Sequence, residues 1–212
     1  MITTTNLTKR FGQTLSLDNV SLELNKNDSV ALMGPNGAGK TTFIRLILGY
    51  YHATSGIVDI NGLDPIKNRT DILNHVGFVP QLPPPIKLSI EEMITYISNS
   101  ADIEKEKIMH YAREMELDIT SIMKKSFFKL SGGMKQKLLI AISIAKDSDI
   151  MVYDEPTANL DPKARDNFYR LLKETKEDKT MLFVTHRLDE VEALVNRQIY
   201  FDLGKVVSDE RF

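Results

Sequence analysis

The chain has 212 residues, 42% hydrophobic and 26% charged, with a formal net charge of −2 and no cysteine. These values suit a globular protein with a real core. They exclude disulfides, thiolate metal sites and cysteine nucleophiles, and leave no global basic field with which to hold nucleic acid. No apolar run nears the ~20 residues needed to cross a bilayer; the best is Leu138 to Ala145. The opening Met1-Ile2-Thr3-Thr4-Thr5-Asn6 lacks the charged and apolar regions of a signal peptide. The chain therefore reads as cytoplasmic, meeting a membrane only through a partner.

In chain order, the predicted elements begin with strands Ile2 to Leu7 and Val20 to Leu24 around a turn at Phe11-Gly12. Val20, Leu22 and Leu24 alternate as a half-buried strand should. The apolar strand Ser29 to Met33 then runs into Gly34-Pro35-Asn36-Gly37-Ala38-Gly39-Lys40-Thr41-Thr42, and a helix follows from Thr42. This is the G-x-x-x-x-G-K-S/T pattern between a strand and a helix. Its glycines permit a tight turn around a phosphate, its N–H groups point inward, and the helix N-terminus favours an anion. Lys40 is expected to reach the β- and γ-phosphates and the Thr41 hydroxyl to ligate Mg²⁺, so the residues themselves predict a nucleoside triphosphate.

Gly56 to Ile60 reads as a strand closed by the Asn61-Gly62 turn, and Val76 to Val79 as a short strand before Pro80-Gln81. After the stiff Pro83-Pro84-Pro85 the pattern turns helical, with a capping box at Ser89-Ile90-Glu91-Glu92. Glu104 to Lys107 reads as a solvated helix face. Leu130-Ser131-Gly132-Gly133-Met134 precedes a helix from near Lys135, a second small-residue turn with either a plain capping role or a phosphate-binding one. One chain does not need two such cradles for one phosphate group, so the binding role implies action in trans. The strand Ile150 to Tyr153 delivers Asp154 and Glu155 at its C-terminal end, where α/β sheets collect ligands. Asp154 suits a Mg²⁺ shell and Glu155 a base for the attacking water. A helix over about Lys163 to Thr175, strand Met181 to Thr185, a helix over Leu188 to Val195, and a hairpin of Ile199 to Leu203 with Val206-Val207 complete the chain. Short apolar strands alternating with helices imply an α/β fold with a mainly parallel sheet.

Together these motifs resemble the nucleotide-binding subunit of ABC (ATP-binding cassette) transporters, over essentially the full length. In that likeness Gly34 to Thr42 is Walker A, and Ile150 to Asp154 is Walker B with Glu155 as catalytic base. Gln81 is the Q-loop glutamine that contacts Mg²⁺ and water, and Leu130 to Met134 the signature. Asn159-Leu160-Asp161 is the D-loop, with Asp161 across a dimer interface. His186 is the switch histidine on the γ-phosphate, and Phe11 the aromatic that stacks on adenine. Met134 departs from the commoner glutamine, but the phosphate contacts come from Ser131 and the backbone of Gly132 and Gly133.

The resemblance implies a P-loop NTPase fold: one ABC ATPase cassette over 1–212, with a mainly parallel core sheet and an N-terminal antiparallel β subdomain. The core would comprise 1–85 and 147–212, and an inserted helical subdomain about 86–146. It implies ATP and Mg²⁺ as ligands, hydrolysis between two head-to-tail cassettes (a homodimer), and an integral membrane permease on the inner face of the cell membrane, with no nucleic acid. The Gly132 to Gln136 run and the brevity of the chain favour export or membrane-protein maturation over import. The competing readings are a soluble ABC-type ATPase acting on nucleic acid or the ribosome, and a non-hydrolysing nucleotide-gated scaffold.

Overall fold

Strands β1 (Ile2–Phe11) and β2 (Thr14–Leu24) form a long hairpin, with Ile2 opposite Leu24 and Phe11 opposite Thr14. Both strands run further than their apolar alternation suggests. In this computed structural model, which describes residues 1–212, β3 (Ser29–Met33) and α1 (Lys40–Ile47) follow. Next come β4 (Ser55–Ile60), α2 (Arg69–Asn74) and β5 (Val76–Val79). The helical stretch holds α3 (Ile90–Ala101), α4 (Lys105–Glu114) and α5 (Gly132–Lys146). The chain ends with β6 (Ile150–Asp154), α6 (Pro162–Thr175), β7 (Thr180–Val184), α7 (Leu188–Val191), β8 (Arg197–Asp202) and β9 (Lys205–Arg211). No helix is long and apolar enough to cross a membrane.

The chain divides into two compact units. The first comprises Met1–Val76, Asp149–Asp154 and Glu177–Phe212. It carries an antiparallel sheet ordered β2-β1-β4 and a second sheet in which β6-β7-β3-β8-β9 are successive neighbours. There β6 and β7 run parallel, as do β7 and β3, and β3 and β8; only β9 is antiparallel. Every residue of β6 and β7 is buried, which is why their sequences are continuously apolar instead of alternating. The core packs Phe43 of α1 against Phe201 of β8 and stacks Tyr153 on Phe183 between neighbouring strands.

The second unit comprises Gly77–Ser148 and Glu155–Lys176. Ile90, Ile94, Ile108, Phe127 and Leu138 lie at its centre. The capping box forms as the sequence suggests: Ser89 Oγ accepts from the Glu92 N–H, and the Ser89 N–H donates to Glu92. The α6 segment, grouped with the α/β core on sequence, lies in this unit. There Arg170 pairs with Glu114 at 2.6 Å, and Lys163 pairs with Glu116.

Three local differences have plain causes. Helix α5 starts at Gly132 and not near Lys135, because Ser131 serves as its N-cap. Helix α7 stops at Val191 and not Val195: the Leu194 and Val195 N–H groups both converge on the Val191 carbonyl, a turn that does not continue the helix. Helix α2 buries only Ile72 and so leaves almost no periodic signal.

Candidate active site

The loop after β3 is held tightly. A Cβ on Gly34 (φ +130) would lie 2.0 Å from the Phe201 carbonyl oxygen, and one on Gly39 (φ +103) 2.6 Å from the Ser16 carbonyl oxygen. Only glycine fits either place. The Gly204 N–H, in the β8–β9 turn, donates to the Ala38 carbonyl at 3.1 Å, and the Ala38 N–H donates to the Pro35 carbonyl at 3.2 Å. Pro35, Asn36 and Gly37 form the exposed rim. Gly39 is the N-cap of α1 and supplies no side-chain cap, and the first turn holds no acidic residue. The N–H groups opening α1 are thus suited to an anion.

Lys40 is buried, and its Nζ donates to the Gly34 and Pro35 carbonyls at 2.6 and 2.9 Å. The Thr42 hydroxyl shares a 2.8 Å hydrogen bond with Ser16 of β2. It therefore braces α1 against the hairpin, a role the sequence pattern does not reveal.

Strand register brings the remaining residues of this unit to one edge. Leu32 of β3 lies beside Val184 of β7, which lies beside Asp154 of β6. The loop after β3, the end of β6 and the end of β7 therefore emerge side by side. Asp154 is buried, and its Oδ1 lies 3.5 Å from the Thr41 hydroxyl, which donates to it. These two hard oxygens suit Mg²⁺, which takes few protein ligands and completes its shell with water and phosphate oxygens. No cluster of three or more His, Cys, Asp or Glu side chains offers an alternative metal cage. His186 is exposed two residues beyond β7, on a turn fixed by the Arg187 N–H donating to the Thr185 hydroxyl at 3.0 Å.

Phe11, at the end of β1, is 43% exposed. It does not stand alone. Its ring meets Tyr51 edge-on, with centroids 5.2 Å apart, and Lys9 Nζ sits 4.8 Å from its centroid. Sequence reasoning passed over Lys9 and Tyr51. The i, i+2 spacing of Lys9 and Phe11 on one strand, which puts both on the same face, was the available signal.

The second unit carries the other candidates. Gln81 Nε2 donates to Glu155 Oε2 at 2.9 Å, so the amide holds that carboxylate in one orientation. Glu155 has φ +45, a left-handed backbone that costs a side-chain-bearing residue and marks a forced chain direction. Ser131 Oγ accepts from the Met134 N–H at 3.2 Å. Gly132 and Gly133 form the first turn of α5, with Gly133 close to the Asn159 carbonyl. Asp161 caps α6 by accepting from the Ala164 N–H at 2.9 Å, and it pairs with Lys137 at 3.1 Å. The Ala164 N–H, then Lys137, hold its carboxyl below the usual range. Within this unit, Asp161 thus ties the start of α6 to Lys137 of α5.

The ABC transporter family model matches residues 17–158. A putative ABC transporter ATP-binding protein of Methanosarcina acetivorans is 34% identical over 215 residues, which cover 99% of this chain and 41% of that one. The Nod factor export ATP-binding protein I of Burkholderia lata is 32% identical over 214 residues, with 96% of this chain and 68% of that one covered. The phosphate import ATP-binding protein PstB of Oceanobacillus iheyensis is 30% identical over 219 residues, with coverage of 96% and 79%. The chain thus spans less than half the length of the archaeal relative. Among solved structures, a post-hydrolysis dimer of an ATP-binding cassette bound to ADP and Pi superposes with a TM-score of 0.85 at 27% identity, covering 100% of this chain and 98% of that one.

Proposed function

Because the chain belongs to the ABC transporter family, a family of ATP-hydrolysing cassettes, we propose that it binds and hydrolyses ATP to power transport by a separate integral membrane subunit. The observation that carries this reading is one edge of the first unit. There the side-chain-free N-terminus of α1, buried Lys40, and the Thr41–Asp154 oxygen pair stand at neighbouring strand ends. A triphosphate would draw Lys40 from the Gly34 and Pro35 carbonyls onto its own oxygens, exchanging neutral acceptors for charged ones. Bound there, Mg²⁺ would neutralise charge on the phosphate oxygens. Thr41 and Asp154 would hold it, with Gln81 reaching it from the Q-loop. Phe11 would stack on the base, and His186 would contact the γ-phosphate. Glu155, oriented by Gln81, would take the proton of the attacking water.

The remaining groups act between cassettes. Ser131, Gly132 and Gly133 would close over the nucleotide of a second copy, with Asp161 at that interface, so that closure excludes water and hydrolysis reopens the pair. The solved dimer of a similar cassette supports this arrangement. The Gly132 to Gln136 run favours export or membrane-protein maturation. Relatives carry both export and import names, so the membrane partner decides the direction.

The Glu155→Gln protein tests the enzymatic reading. ATP affinity should stay within a few-fold, turnover should fall by about 10²–10⁴, and a nucleotide-trapped dimer should elute on size exclusion. Unchanged turnover would remove Glu155 as the base. The same variant, purified with ATP and Mg²⁺ from gently solubilised cells, should bring down a polytopic membrane protein. Ribosomes or nucleic acid in its place would end the transporter reading.

A further inference from the structure

Phe11 is built into a cluster that the phosphate chemistry does not require. The Lys9 ammonium lies 4.8 Å from the Phe11 centroid and 5.7 Å from that of Tyr51, and it donates to the His52 carbonyl at 2.8 Å. The Tyr51 hydroxyl accepts from Arg45 Nη1 at 2.7 Å, and the Arg45 guanidinium lies 5.6 Å from the same ring. The loop carrying Tyr51 is tied to β1 twice: the Thr54 N–H donates to the Thr8 carbonyl at 2.8 Å, and the Arg10 N–H to the Thr54 hydroxyl at 2.9 Å. Arg45 belongs to α1, the helix that opens at the phosphate loop. One rigid helix thus connects the phosphate cradle to the brace behind Phe11.

On the reading that Phe11 stacks on the base, we infer that Lys9 and Tyr51 are positioning residues that set the strength of base recognition. Lys9 and Tyr51 both pack on Phe11, which stays 43% exposed and so keeps ring surface for a purine. A cation beside an aromatic ring draws its π density toward the charge. The exposed ring surface then meets an electron-rich purine with less repulsion between the two negative quadrupole faces. Tyr51, pinned by Arg45, stops the ring from turning, so less side-chain freedom is lost when the base arrives. Lys9 is itself pinned by the His52 carbonyl, so its charge stays beside the ring.

Two ligands separate base recognition from phosphate binding: ATP, and inorganic tripolyphosphate, which has no base. Their dissociation constants are measured with Mg²⁺ by titration calorimetry on the full chain. Phe11→Ala should weaken ATP about five- to hundredfold, the range for one base stacked on one ring, and leave tripolyphosphate unchanged. Lys9→Met and Tyr51→Leu should each weaken ATP about two- to fivefold with tripolyphosphate again unchanged, while Lys9→Arg restores the ATP value. If Phe11→Ala weakens ATP and neither other variant does, Phe11 keeps its role and the inference about Lys9 and Tyr51 is overturned. Equal weakening of both ligands in Lys9→Met also overturns it, since that is a general structural effect. If Phe11→Ala leaves the ratio of the two constants untouched, the base-stacking reading falls and the inference with it.

Discussion

At the scale of single residues, the proposed function gives Lys40 and Asp154 separable jobs, and their substitutions should separate them. Lys40 bonds the loop's own carbonyl groups at 2.6 and 2.9 Å, while Asp154 accepts from Thr41 at 3.5 Å. Lys40→Met removes a charge-assisted donor to the phosphates and deprives two loop carbonyls of a partner. ATP affinity should fall about tenfold or more, with or without Mg²⁺. Asp154→Asn keeps the side-chain shape but halves its acceptor capacity and removes its charge. Affinity for ATP in chelator should hold, while the gain from adding Mg²⁺ disappears. Calorimetry in EDTA and in Mg²⁺ on both variants checks the pair; an Asp154→Asn protein that still gains from Mg²⁺ would remove Asp154 from the metal site. The placement of both residues at one sheet edge was legible in sequence, because each follows an apolar strand within a few positions. Thr42 shows what such a pattern leaves out: its hydroxyl also bonds Ser16, a partner 26 positions away that no local pattern reports.

At the scale of elements, start signals carried more information than lengths. The capping box at Ser89 marks the start of α3, and the structure realises both of its hydrogen bonds. Ser131 also caps its helix, but the Gly-Gly pair after it masked the start of α5, since glycine weakens a local helical signal. Helix α7 reads longer in sequence than it is, because apolar spacing continues through Leu194 while the chain past Val191 forms only a turn converging on the Val191 carbonyl. Ser89→Ala should cost about 1 kcal/mol, a fall of about 2–4 °C in Tm for a chain of this size. ATP affinity should be unchanged, since the capping box takes no part in the phosphate loop. A melt that does not move would mean that Ser89 does not limit α3. The Glu92 carboxyl, held below its usual range by the Ser89 N–H and then its hydroxyl, adds a pH signature. Its contribution is full above the ordinary carboxylate pKa and is lost as pH falls through the lower folded value.

At the scale of the molecule, the first unit is assembled from three separate stretches of chain, and a buried charge network joins the first to the last. Asp28, 3% exposed, accepts from Arg197 at 3.0 Å and from both terminal nitrogens of Arg211 at 2.9 and 3.0 Å. Arg197 also donates twice to Asp209, at 2.7 and 2.6 Å, and to the Glu23 carbonyl at 2.7 Å. Nothing in the sequence pairs residue 28 with residues 197 and 211, because the contact exists only once β3 and β8 lie side by side. Burial alone would push the Asp28 carboxyl up. Hydrogen bonds from Arg211, the Asn25 N–H and Arg197 overcome it and hold the group below the usual carboxylate value. A folded pKa below the unfolded one means that protons bind the unfolded chain more readily. The network's contribution is therefore complete above about pH 4 and drains away as pH falls through the folded pKa. Asp28→Asn leaves two guanidinium groups facing a neutral amide and should cost about 3–5 kcal/mol at pH 7. Denaturant melts of parent and variant should differ by that amount from pH 7 down to pH 5, with the gap closing below about pH 4. A gap of the same size at pH 3 would show that the variant is penalised by its amide's hydrogen-bonding pattern and not by the lost charge, and a gap under about 1 kcal/mol at pH 7 would show that the network does not hold the unit together.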